Sequence, residues 1–499
     1  MSILDHIKAA RRVSVPLVAL TTADQYGAIN ALSELLSNGK ALPVIRWDLI
    51  HGLRGLNPRG GEAITQMIGD MDPQATTDPV MALAVLEKLP RGGACLVLNA
   101  HRILDNPAVA QAVGNLRDVF KSNNRMLILL APSITLPAEL RHDVLILDEP
   151  YPNPQELQAM LEEQYRAAEV TIPEDQRISR EVDAVRGLPL FAAEQAIALS
   201  MRRDGISLDQ LWQRKVSMIE QVPGLTVWKG QESFAQIGGL SALKSYLLKI
   251  LTGKIRYRAI VFMDEIEKML AGAMGAVQDS SGTSQAIHGK LLSYMQDKKA
   301  TGLLLVGHPG TCKSQIAKAA GHEVGIPVLA WDTGSTKSSL VGESERNTDM
   351  VLKVISAVSD DAALFIATSN KCQQLPPELR RRFKLGTVMF DFPDDAEKAA
   401  IWKIYRKQYE IPRDCPQPDD TNWTGAEIEQ CCQRAWQLEM PLTEAARYLV
   451  PTCKAAPDAV EELRRQAAGR YLSASYPGVY QLPTAKAEIP AKPKRAMAL

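Results

Sequence analysis

The stretch from Thr301 to Ser314 restricts the fold more than any other part of this sequence. An apolar run, Leu303–Val306, is followed by Gly307-His308-Pro309-Gly310-Thr311-Cys312-Lys313-Ser314. A buried strand, a glycine-rich turn and a helix start in that order form a phosphate-binding loop. Backbone N–H groups of such a loop, at a helix N-terminus, cradle phosphates. A lysine at position 313 reaches the β- and γ-phosphates of a nucleotide, and the Ser314 hydroxyl ligates Mg²⁺. The candidate nucleotide-binding residues are His308, Pro309, Gly310, Thr311, Cys312, Lys313, Ser314 and Gln315. Cys312 stands where the pattern has glycine. Its Cβ is expected to crowd the phosphates, and the helix N-terminus and Lys313 are expected to favour its thiolate.

Three further features suit the same chemistry. The run Ala259–Met263 ends in Asp264-Glu265. Two adjacent acids at a strand end are costly to desolvate unless a cation is present. Asp264 would hold Mg²⁺, and Glu265 would orient and polarise an attacking water. Asn370 ends the strand-like run 362–370, where a polar side chain reaches a γ-phosphate or its water; alone it is equally a turn residue. Arg380-Arg381-Arg382 follow the turn Leu375-Pro376-Pro377-Glu378-Leu379. A solvated basic turn is the plain alternative, but a cation there can stabilise charge on a transferred phosphoryl group of a neighbouring subunit. Arg381 and Arg382 are both candidates for that cation, with Arg382 favoured because it directly precedes Phe383. The catalytic set is thus Glu265, Asn370, Arg381 and Arg382, and the metal set Ser314 and Asp264.

Length and composition set the frame. A chain of 499 residues holds several domains. With 46% hydrophobic and 23% charged residues it reads as an ordinary globular protein. The formal net charge of zero gives no global pull toward nucleic acid or membrane. The 7 cysteines lack metal-ligand spacing and read as reduced thiols. No apolar run reaches the roughly 20 residues of a membrane span, and the N-terminus lacks the apolar core of a signal peptide. A cytoplasmic location is expected.

Continuous apolar runs separated by helical stretches predict an α/β fold with parallel sheets covered on both faces. The expected divisions are an α/β domain over 1–150, a helical segment and linker over 151–225, an ATPase core over 226–393, a helical lid over 394–475 and a disordered tail over 476–499. The linker is placed near 222–233. The two halves share a pattern: 125–140 matches 363–379 in a buried strand and a Leu-Pro-x-Glu-Leu turn. In the first half Asn99 and Ala100 take the place of the two acids, and no Gly-Lys-Ser follows the run 15–22. The first half reads as a degenerate copy of the second, with generic α/β similarity as the alternative.

On these motifs the second half resembles the AAA family of ATPases. Phe234 to Leu240, including Ile237 and Gly238, resembles the family's N-terminal linker near adenine. Ser339 to Glu345 resembles its first pore loop, and Gly425 and Ala426 resemble the start of the lid helix that lies against nucleotide. The first half is similar to a bacterial and plastid subgroup with a degenerate AAA-like N-terminal half. The resemblance implies a P-loop NTPase core using ATP and Mg²⁺, and a homo-oligomeric ring, most simply a hexamer. It also implies a macromolecular substrate, favoured to be protein, with no membrane partner and nucleic acid disfavoured. One departure is large: the acidic strand precedes the phosphate loop, whereas the family has the reverse order. A strand–helix unit transposed within a parallel sheet would restore the same site, with Asp264 beside Ser314 and its strand inside the sheet. The pore position carries Leu340-Val341 in place of an aromatic, and Ala271–Ser284 reads as a mobile insertion. An ATP-hydrolysing remodeller is expected; a nucleotide-gated scaffold with little turnover and a DNA-directed motor are the rivals.

Overall fold

Apolar runs without alternation must be covered on both faces, and both halves of the chain meet that demand with a parallel sheet between helices. The computed structural model describes residues 3–39, 41–228, 232–269, 283–332, 343–371 and 375–483. Two compact units emerge, Met1–Trp212 and Gln213–Leu499.

The first unit contains β1 (Leu17–Thr21), β2 (Val44–Asp48), β3 (Gly52–Gly55), β4 (Ala94–Val97), β5 (Met126–Ala131) and β6 (Leu145–Asp148). Their spatial order is β3-β2-β4-β5-β1-β6. Neighbours pair in parallel, except for the antiparallel β2–β3 hairpin. Leu17, Ile45, Cys95 and Leu127 pack with Leu116 and Phe120 on one face. Val18, Leu96 and Ile128 pack with Ile29 and Leu32 on the other. Three helices follow, Pro154–Ala167, Asp175–Val185 and Leu190–Ser200, with a small hairpin of β7 (Met201–Arg202) and β8 (Gly205–Ile206). The buried Tyr165 hydroxyl donates to Glu181 at 2.8 Å, tying the first two of these helices together.

The second unit is built on β9 (Leu225–Trp228), β10 (Ala259–Met263), β11 (Thr301–Gly307), β12 (Val328–Trp331), β13 (Ala363–Ser369), β14 (Thr387–Phe390) and β15 (Leu472–Ser473). The order is β15-β14-β11-β13-β10-β12-β9. Only β9 runs antiparallel, against β12. The segment expected as a linker near 222–233 therefore contributes an edge strand: Leu225 and Val227 point inward and are buried, while Thr226 and Trp228 are exposed. All seven residues of β13 are buried, each large side chain contributing about 1.5–3 kcal/mol of burial. Ile260, Phe262, Leu303, Leu305 and Leu364 share a core with Leu243, Leu247 and Ile316 on one face.

Set side by side, the two sheets have one spatial plan and two chain orders. The phosphate-loop strand β11 occupies the position of β1, between its β13 and β14 neighbours as β1 lies between β5 and β6. The acid-bearing β10 occupies the position of β4, paired in parallel on both sides. In the first unit that position is the third parallel strand along the chain; in the second it comes before the loop strand.

Helices Asp395–Gln408, Gly425–Gln437 and Leu442–Ala445 gather around Trp402, Trp423, Ile428 and Cys431 as a separate helical core. Leu442–Ala445 is followed by a short 3₁₀ turn, Ala446–Tyr448. The tail also differs from expectation. Residues 471–480 form a turn in which Tyr480 N–H donates to Tyr471 at 2.7 Å, and Tyr480 is buried. Residues 484–499 lie outside the described residues, as do 339–342 of the expected pore loop and 271–282 of the expected insertion.

Candidate active site

β10, β11 and β13 end at the same edge of the sheet, β10 two to three residues short of the others: Met263 is opposite Ala367, and Val306 is opposite Ser369. Side chains just beyond those ends meet in the crevice where parallel α/β sheets place ligands. Helix Lys313–Val324 starts from the loop after β11. Gly310 has φ +80, and a Cβ there would stand 2.9 Å from the Ala426 Cβ; only glycine fits that approach of loop to lid.

Ser314 Oγ donates to Asp264 Oδ1 at 3.0 Å. Thr368 Oγ1 also bonds that carboxylate and accepts the Glu265 N–H at 2.8 Å. Thr368 thus fixes both acids from the neighbouring strand, a role that an apolar strand pattern does not reveal. Glu265 is held in left-handed backbone, φ 48, which costs a non-glycine residue roughly 1–2 kcal/mol. The turn aims its side chain at Asn370, whose Nδ2 donates to Glu265 Oε1 at 3.2 Å. Lys268 pairs with the other Glu265 oxygen. The Asn370 backbone N–H donates to Glu267 at 3.0 Å.

The Lys313 ammonium is buried in the loop, donating to the Gly307 and His308 carbonyls at 2.8 and 2.7 Å. Burial lowers its pKa to about 8, against the opposing pull of Asp264, Glu267 and Glu265. Cys312 occupies the cap of the helix with φ 62 and ψ 20, backbone that glycine adopts without strain. A Cβ on Gly425 would lie 3.5 Å from Cys312 Sγ, so the sulfur lies against the lid. Burial, with Glu429 nearby, pushes the thiol up to about 11 despite Lys313 and Lys244. The expected thiolate is therefore overturned: desolvation outweighs the adjacent cation.

A cleft of about 260 Å³ joins these groups. Its walls include Asp264, Glu265, Asn370, Pro309 to Gln315 and, from the lid, Ala426. Thr368, Tyr405 and Glu429 also line it; the last two sit on amphipathic lid helices whose pattern shows only a buried stripe. The helix Gly425–Gln437 is capped by Thr424 in a capping box with Glu427, and Ala426 N–H donates to the Gly310 carbonyl at 3.2 Å. Gly425 meets Cys312 just behind that contact.

Other predicted residues are placed elsewhere. Ile237 is buried in the core that includes Leu243 and Ile316, and Gly238 lies so close to Ile401 that a Cβ would come within 2.4 Å of it. His308 stacks on Phe392, ring centroids 5.6 Å apart. Arg380 and Arg381 are exposed, whereas Arg382 turns inward and donates to Gln296 at 2.7 Å.

In the first unit the corresponding crevice is built differently. Three residues, 22–24, join β1 to helix Gln25–Ser37, against five, 308–312, after β11. Asp24 caps that helix, accepting the Gly27 N–H at 2.9 Å, so a carboxylate sits where a phosphate would dock. Asn99, with φ 51, shares the left-handed position of Glu265. The structural match to the two acids is therefore Leu98 and Asn99, one residue earlier than the sequence suggests. Gln25 and Asn99 exchange hydrogen bonds of 2.9 and 2.8 Å, a neutral tie across the first unit's crevice.

A parallel sheet with a glycine-rich loop opening a helix, and acids at the end of a nearby strand, defines a P-loop nucleoside triphosphatase fold. Two AAA ATPase family models match parts of the chain. The AAA family, "ATPase family associated with various cellular activities", matches residues 303–361, and the "SpoVK-like AAA ATPase, N-terminal domain" matches residues 3–149. The AAA match begins within β11 and ends before β13, with β10 upstream of it. Similar curated proteins are named "Uncharacterized AAA domain-containing protein ycf46". The one from Guillardia theta is 23% identical over 491 residues, covering 88% of each chain. The one from Pyropia yezoensis is 22% identical, covering 86% of this chain and 88% of its own. Among the described residues no helix is long and apolar enough to cross a membrane.

Proposed function

We propose that the second unit binds and hydrolyses ATP, and that the chain works as a ring, most simply a hexamer, remodelling a protein partner. The observation that carries the hydrolytic reading is the constellation of Ser314, Asp264, Glu265 and Asn370 within one cleft. Ser314 Oγ and Asp264 Oδ1 are hard oxygen donors 3.0 Å apart, a donor set that suits Mg²⁺. When bound there, Mg²⁺ would neutralise charge on the phosphate oxygens. The loop N–H groups and Lys313 would grip the triphosphate. Glu265, held by Asn370, would orient the attacking water and draw off its proton. Gly425 and Ala426 would close the lid over the nucleotide, with Ile237 and Gly238 supporting it from behind. In this reading the β10 strand–helix unit has been transposed ahead of the phosphate loop relative to the family. The cytoplasm, or the equivalent compartment of a plastid, is the proposed location.

Of the three arginines, exposed Arg381 is the better finger, because Arg382 is engaged with Gln296. Mixing an Arg380–Arg382 triple-alanine variant with Lys313→Ala tests the ring. Each is expected to be inactive alone, and a co-assembled mixture should regain activity. No rescue in a mixture shown to co-assemble would contradict action in trans. A low-turnover scaffold is the second reading, favoured by the Lys268 ion pair on Glu265, which competes with water for the base.

A further inference from the structure

The C-terminal turn is tied to three elements of the second unit: the helix Ser241–Leu251, β14 with the residues just after it, and the first lid helix. The Leu243 N–H donates to the Ala474 carbonyl at 3.1 Å, and the Ala474 N–H donates to Met389 in β14 at 3.1 Å. Ser475 Oγ donates at 3.0 Å to Glu397 on the first lid helix. That same carboxylate accepts the Leu240 N–H at 2.9 Å. Beyond it the Tyr480 hydroxyl donates to Asp391 Oδ2 at 2.6 Å. Arg464, on helix Pro457–Ala467, donates from Nε to Asp391 Oδ1 at 2.9 Å. The Arg464 guanidinium also lies over the Phe392 ring, 5.3 Å from its centroid.

Phe392 carries this arrangement into the phosphate loop. Its ring stacks on His308 at an interplanar angle of 10°. The His308 carbonyl accepts both the Lys313 ammonium at 2.7 Å and Thr311 Oγ1 at 2.8 Å. His308 Nε2 is buried and has no polar partner among the described residues. A buried unsatisfied polar group favours any motion that takes it to water. The stack on Phe392 holds the His308 ring in that buried position, on the residue whose carbonyl holds Lys313.

We propose that residues 471–480 are a strap that positions the phosphate loop through Tyr480, Asp391, Arg464, Phe392 and His308, so that loosening the strap weakens nucleotide binding. Tyr480, Asp391, Arg464 and Phe392 act as positioning residues, since none of them lines the cleft. The inference rests on the ATP-site reading above. It adds that the C-terminal turn sets the affinity of that site.

The test is calorimetric titration of the full chain with a non-hydrolysable ATP analogue and Mg²⁺, beside thermal unfolding of the same samples. Tyr480→Phe removes one hydroxyl and keeps the ring. It should raise the Kd about tenfold, the usual scale for a hydrogen bond to a charged group. In a Phe392→Leu background, where the column is already cut, Tyr480→Phe should change the Kd less than about twofold. Phe392→Tyr keeps the stack and should restore the full effect. A lower unfolding temperature with unchanged Kd would overturn the strap in favour of a merely structural turn. Full additivity of Tyr480→Phe and Phe392→Leu would also overturn it. Wild-type chain that binds no analogue would instead overturn the function reading, and the strap with it.

Discussion

Replacing Cys312 by glycine isolates what this side chain contributes to the loop. Three terms set the size of the effect. Left-handed backbone at φ 62 costs a non-glycine residue roughly 1–2 kcal/mol, which glycine relieves. Glycine's extra freedom in the unfolded chain takes back roughly 0.5–1 kcal/mol. Losing the thiol packed against Gly425 and the core costs a further ~1 kcal/mol of burial. The terms nearly cancel, so Cys312→Gly should shift stability by less than about 1 kcal/mol, a few degrees of Tm for a unit of this size. Because Sγ faces the lid rather than the loop interior, ATP affinity should stay within about threefold of wild type. The thiol should also react slowly with an alkylating agent near neutral pH, since burial holds its pKa near 11 and little thiolate exists there. Calorimetry, thermal unfolding and timed alkylation of both proteins measure all three. A tenfold gain in ATP affinity, or rapid alkylation of wild type at pH 7, would instead place the cysteine against the phosphates.

Nucleotide binding should take up protons at alkaline pH. The buried Lys313 has its pKa lowered to about 8, and a triphosphate beside it favours the ammonium. Binding at pH 8.5 should then capture about three quarters of a proton, and at pH 7 almost none; equal heats in buffers of different ionisation enthalpy at pH 8.5 would contradict this. The chain should bind one nucleotide, because Asp24 occupies the helix N-terminus that a phosphate would need in the first unit; a stoichiometry of two by calorimetry would refute it. Gly238→Ala should destabilise the second unit by several kcal/mol or displace the lid helix, since its Cβ would meet Ile401 at 2.4 Å; an unchanged Tm and ATP affinity would count against that packing.

What could be read from the sequence was whatever is local. The phosphate loop is contiguous, so its strand, turn and helix start follow from spacing alone. The acid pair is equally visible at the end of an apolar run. Thr368 was not legible, because its partners are 103 and 104 positions away and its own strand reads only as buried. Tyr405 and Glu429 were hidden for the same reason: they face the cleft from helices whose amphipathic pattern reports burial and not the neighbour. The sign of the Cys312 shift was missed because adjacency to Lys313 is visible in sequence and desolvation is not. β9 reads as a linker in sequence because four residues beside Pro223-Gly224 carry too weak an alternation to announce an edge strand. The one-residue offset between the two acids and Leu98-Asn99 shows in backbone conformation alone, through the shared left-handed turn.

In the proposed function Glu265 activates water for ATP hydrolysis at a site able to bind ATP without it. Steady-state ATPase and equilibrium ATP binding of wild type and Glu265→Gln, measured side by side with Mg²⁺, test it most directly. Affinity should be unchanged, and turnover should fall on the order of 10²-fold or more. Equal ATPase rates in the two proteins would contradict that role of Glu265.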